Sequence, residues 1–140
     1  MAKRVIKYDP QATFNVIAGS AIAEGDLVGV NGSGTGNPAD ATATQGAAAT
    51  NRAWGFAVKA AAIGQMVAVA PIATIDGLTG LTVGAPCYLG AAGAITQTKN
   101  VTAGQTQQLI GMARSATEVL GHITAPRVAQ AAGTTTDAGF

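Results

Sequence analysis

Cysteine and histidine occur once each, as Cys87 and His122. One cysteine excludes a disulfide framework and a cysteine-based zinc site, and one histidine excludes a histidine cluster for a metal. Aromatic residues make up 4% of the chain and charged residues 11%. An ordinary soluble domain carries about 25% charge, so this surface is unusually neutral. The net charge is +1, which by itself argues neither for nor against nucleic acid; none is expected as a partner. Long apolar runs are missing too. The charge-free stretch from Gly77 to Thr98 is interrupted by Gly, Thr, Pro86 and Gln97, so no membrane span is expected. The basic segment Met1 to Tyr8 has no apolar run behind it and does not read as a signal peptide.

Alanine, glycine and threonine dominate what remains. The 140 residues suit one domain. Large apolar side chains, each worth about 1.5–3 kcal/mol when buried, are sparse. The isolated monomer is therefore expected to be marginal, or to lean on a neighbour.

Short β-branched and apolar runs separated by glycine turns recur along the chain. Strands are expected at 13–17, 27–30, 54–58, 66–70, 72–75, 87–89, 94–98, 109–114 and 119–123. The pattern predicts an all-β fold, a small β-barrel or jelly-roll-like sandwich spanning residues 13–126. An extended N-terminal arm, residues 1–12, precedes it, and a mobile low-complexity tail, 127–140, follows. The segment from Asn31 to Pro38 reads as a loop without a regular element, 39–51 as a continuation with a short helix at most, and 99–108 as a polar loop. Trp54 and Phe56 are the expected core anchors. Lys3, Arg4, Val5, Ile6, Lys7 and Tyr8 read either as an arm laid on a partner or as a solvated edge strand. Gly25 to Val30 has a counterpart in Gly84 to Leu89, and Trp54 to Val58 in Ile110 to Arg114, which suggests an internal duplication.

Catalytic readings find little support. The glycine-rich stretch at 32–36 is not followed by Gly-Lys-Ser/Thr, so it does not read as a phosphate loop. Cys87 lies within a strand pattern without a nearby base and reads as a small buried hydrophobe. Lys59 lacks the flanking residues of a carrier lysine. The seven acids, Asp9, Glu24, Asp26, Asp40, Asp76, Glu118 and Asp137, are scattered, and general acid–base chemistry needs a paired or tuned group. His122 reads as structural. No enzymatic activity and no cofactor are expected.

Four segments carry a resemblance: Ile22-Ala23-Glu24-Gly25-Asp26-Leu27-Val28, Arg52 to Val58, Val83 to Leu89 and Leu109 to Ala113. Together they resemble small capsid decoration, or cement, proteins of tailed bacteriophages, over roughly residues 13–125. The resemblance implies a compact β-protein made in the host cytoplasm and carried on the outer capsid surface of the virion. It implies the major capsid protein as partner, self-association as a dimer or trimer, and a mechanical role against the pressure of packaged DNA. A tail, fibre or surface-adhesion β-domain is the alternative. Its carbohydrate-binding faces favour aromatics, which are scarce here.

Overall fold

The computed structural model describes residues 3–42 and 52–125 and the backbone strand at 127–128. The short helix considered at Ala47 to Arg52, except for Arg52 itself, and the tail from residue 129 lie outside the described residues.

The first half forms a closed five-stranded barrel: β2 (Phe14–Ala18), β3 (Leu27–Val30), β4 (Thr35–Pro38), β5 (Gly55–Ala57) and β6 (Met66–Ala70), in the order β2-β4-β3-β5-β6. The second half forms an open sheet from β7 (Ile72–Asp76), β8 (Pro86–Leu89), β9 (Ile95–Thr96), β11 (Leu109–Ala113) and β12 (Val119–His122). Its order is β1-β7-β12-β11-β8-β9, with β1 (Arg4–Tyr8) added at one edge. A two-stranded ribbon joins β10 (Thr106–Gln107) to β13 (Arg127–Val128). The expected all-β, barrel-based class is the observed one.

The two halves share one wiring. In the barrel the third, second, fourth, fifth and first strands of the half lie side by side as β4-β3-β5-β6-β2. In the sheet β9-β8-β11-β12-β7 repeats that order, and each shared neighbour pair is antiparallel in both halves. The equivalent glycines serve one purpose. A Cβ on Gly55 in β5 would lie 2.8 Å from the Ala70 carbonyl oxygen, and one on Gly111 in β11 would lie 2.4 Å from that of Leu120. In both places the fourth strand presses its backbone against the fifth.

The halves differ at the seam. The barrel closes where β2 and β4 pair in parallel. No pairing joins β7 to β9, and β1 occupies the edge of β7 instead.

Two cores follow from this arrangement. Val28, Ala57, Val67 and Val69 fill the barrel, with Phe14 and Val16 packed against them. Leu27, Phe56 and Ala70 belong instead to a second cluster with Ala73, Ile75, Cys87, Leu89, Ile110 and Val119 of the sheet. Alternation along β3 and β5 thus sends one side chain into the barrel and the next against the sheet. Phe56 is fully buried, as expected.

Three expectations are corrected. Thr35–Pro38 is a strand, not a loop. Its neighbours on both edges, β2 and β3, supply the hydrogen bonds that its Gly- and Pro-rich sequence does not favour locally. Of the two readings of residues 3–8, the edge strand is the one formed, over Arg4–Tyr8, so the expected arm at 1–12 is in this part a strand of the sheet. Trp54 is not a core anchor, since 45% of its surface is exposed. It precedes β5 at the same end of the barrel as Phe14, whose ring it meets edge-on at 6.3 Å. Trp54→Ala is expected to lose less than the about 3–5 kcal/mol of a fully buried tryptophan, because only the half of the side chain out of water and its edge-on pair with Phe14 are removed. Thermal unfolding of the variant checks this.

Candidate interaction surface

The outer face of the sheet, turned away from the barrel, is built by register. Thr74 of β7 sits opposite Leu120 of β12, Leu120 opposite Met112 of β11, and Met112 opposite Pro86 of β8. Directly opposed residues share a face, so these four form one row. Ile72 opposite His122, and Leu109 opposite Tyr88, extend it. Ile72, Leu109, Met112 and Leu120 are all exposed.

Leu109 and Met112 are three residues apart, and strict alternation would place them on opposite faces. A bulge intervenes. β11 advances from Leu109 to Gly111 while β8 advances by one residue, leaving the buried Ile110 as the extra residue. Beside this row Pro86, Tyr88, Leu109, Lys99, Gln107 and Thr124 line a shallow groove of about 360 Å3. Sequence patterning did not reveal this face, because the bulge breaks the alternation on which such patterns depend.

A second apolar patch lies on the barrel. Met66 stands opposite Ile17 across β6 and β2, and both are exposed. Ile63 joins them from the adjoining turn, where Gly64 donates a backbone hydrogen bond to Ala18.

The residues singled out at 3–8 divide between anchoring and exposure. Lys3 Nζ lies 2.9 Å from Asp26 Oδ1 and donates to the Gly93 carbonyl at 3.1 Å. Arg4 pairs with Asp76. The Gly77 N–H and then the Arg4 guanidinium hold the Asp76 carboxyl below the usual carboxylate range. The Val5 N–H donates to Glu24 Oε2 at 2.9 Å. Ile6 is a bulge residue, since β7 advances by one where β1 advances by two. Such a bulge with neighbouring charges blunts an open sheet edge. Ile6, Lys7 and Tyr8 remain exposed.

Little chemistry is brought together. No group of three or more metal-ligating side chains occurs among the described residues. Cys87 is buried, and burial pushes its thiol up from its ordinary value, away from the nucleophilic thiolate. His122 stands on the outer sheet face opposite Ile72.

No protein-family model matches the chain, and no curated protein sequence does.

Proposed function

We propose that this chain is a structural virion protein of the cement type. It binds the outer surface of an icosahedral phage capsid and holds neighbouring major capsid protein subunits together. The observation that carries this reading is the pair of separate exposed apolar surfaces, the outer sheet face and the Ile17–Ile63–Met66 patch, on two repeats locked through one shared core. A protein that bridges needs at least two contact surfaces held rigidly. The motif resemblance supplies the kind of partner. Multivalent engagement on a repeating lattice strengthens weak contacts through effective concentration.

Co-sedimentation with empty, expanded capsids tests the role. Saturable binding is expected, together with a higher temperature of shell rupture. The double substitution Ile63→Glu and Met66→Glu is expected to weaken binding by tenfold or more, while its far-ultraviolet spectrum stays that of the wild type. A folded chain that does not bind shells overturns the role in favour of a tail or fibre domain.

A further inference from the structure

The two halves share one strand order but bury different sides of it. On the barrel, Leu27 of β3 and Phe56 of β5 point outward and are fully buried against the sheet. The repeat offsets place Pro86 of β8 and Met112 of β11 at the equivalent positions, 59 and 56 residues later. Both are exposed. The second repeat therefore presents, uncovered, the side that the first repeat packs against a β-sheet.

Charge narrows what covers it. The row Thr74–Leu120–Met112–Pro86 and the flanking Ile72, Leu109 and Tyr88 carry no formal charge. Tyr88 and His122, opposite Leu109 and Ile72, are the titratable groups on this face. Lys7, Lys99 and the Arg4–Asp76 pair stand at the margins. A charge-depleted centre with a charged rim is the compositional mark of a protein interface. A neutral face also meets a copy of itself without like-charge repulsion. Its shape suits the same partner, because two sheet faces pack about 10 Å apart with interdigitating side chains.

We infer that the outer sheet face is a homodimer interface, in which the second-repeat sheets of two copies pack face to face across a two-fold axis. In such an isologous contact Met112 and Leu120 of each copy meet the same surface of the other. Six strands of two to five residues, rising about 3.4 Å per residue and spaced about 4.8 Å, present a projected area of about 400 Å2. That is below the roughly 800 Å2 of accessible surface each partner contributes to a standard interface, so the dimer is concentration-dependent in solution. In the proposed cement role the outer face then joins the two copies and the two Ile17–Ile63–Met66 patches of the dimer engage the shell, but the interface does not require that role.

Sedimentation velocity of the full chain over a wide concentration range, without capsids, tests the inference. A monomer–dimer equilibrium is expected. Met112→Glu and Leu120→Glu, each introducing like charges across the axis, are each expected to weaken dimerisation tenfold or more. The barrel variant Met66→Glu is expected to leave it unchanged. Met112→Thr, which removes the apolar side chain without adding charge, guards against misfolding and is expected to weaken dimerisation by a smaller factor. A strict monomer, a trimer, or a dimer indifferent to substitutions at 112 and 120 overturns the inference. A chain that dimerises this way but fails to bind shells overturns the cement role and leaves the interface standing. One that binds shells while strictly monomeric does the reverse.

Discussion

Phe56→Ala is expected to destabilise the protein by about 3–5 kcal/mol, the range for a fully buried phenylalanine. For a domain with about 5–15 kcal/mol in total, that removes a large share. The effect is placed at the high end by what surrounds the ring. Phe56 leaves the barrel at β5 and enters the core shared with the sheet. There its Cε2 and Cζ lie against Gly121 of β12, so closely that a Cβ on Gly121 would come within 2.5 Å of both. The ring fills a space that the absence of a side chain at 121 creates. Strands on either side are fixed by backbone pairing, β5 to β3 and β6, β12 to β11 and β7, so the cavity has little freedom to collapse. Gly121→Ala offers the complementary disturbance, because the new methyl also meets the Ala73 carbonyl oxygen at 2.8 Å. The pair Phe56→Leu with Gly121→Ala is expected to cost less than the sum of its single substitutions. Equilibrium denaturation of the three variants measures the coupling. Strict additivity would show that ring and glycine do not share one space.

Gln108→Leu is expected to cost several kcal/mol although the replacement is apolar and of similar size. Gln108 is almost fully buried. Its side-chain amide accepts from the Ala53 N–H at 2.7 Å and donates to the Ala53 carbonyl at 2.8 Å and the Thr124 carbonyl at 2.8 Å. It thus gives Ala53, just before β5, both hydrogen bonds that a neighbouring strand would give. Leucine removes both at once and leaves buried backbone groups unpaired, at about 1–3 kcal/mol each. Gln108→Glu keeps the shape and the acceptor but sets a carboxylate oxygen against two carbonyl oxygens. It is expected to be destabilising at neutral pH and less so in acid, where protonation restores a donor. Chemical denaturation at two pH values checks the sign, and equal losses at both would contradict this account.

Glycine punctuation made most strands legible. Leu27–Val30, Met66–Ala70 and Ile72–Asp76 lie where β-branched and apolar residues alternate between turns. The duplication was visible in Gly25 to Val30 against Gly84 to Leu89. Its full extent needed the pairing order, because alanine-rich segments align too easily. Trp54 was misread because size suggested burial, yet burial at this place follows position. β5 lies between two cores and buries Gly55, Phe56 and Ala57, while Trp54 precedes it at the end of the barrel. Thr35–Pro38 and Gln108 were illegible because their own sequence does not announce their partners. β4 pairs with β3 across a short turn and with β2 further back although Thr-Gly-Asn-Pro does not favour a strand, and Gln108 bonds Ala53 far away in the chain. The outer sheet face, which carries the proposed interface, depended on a bulge in the same way.

The placement of β1 has a consequence for the order in which the chain folds. As the polypeptide leaves the ribosome, β1 is made well before its partner β7, which begins at Ile72. The backbone ladder of the barrel, β2 to β6, is complete by Ala70. The first repeat can therefore close behind a strand that is still waiting. Long-range pairings of this kind are slow to form, and an unpaired strand is an invitation to aggregate. Lys3, Arg4 and Lys7 give the waiting segment a charge that the rest of the chain largely lacks. Charges on an unpaired edge oppose edge-to-edge association, and these three lie on the segment that waits for the second repeat.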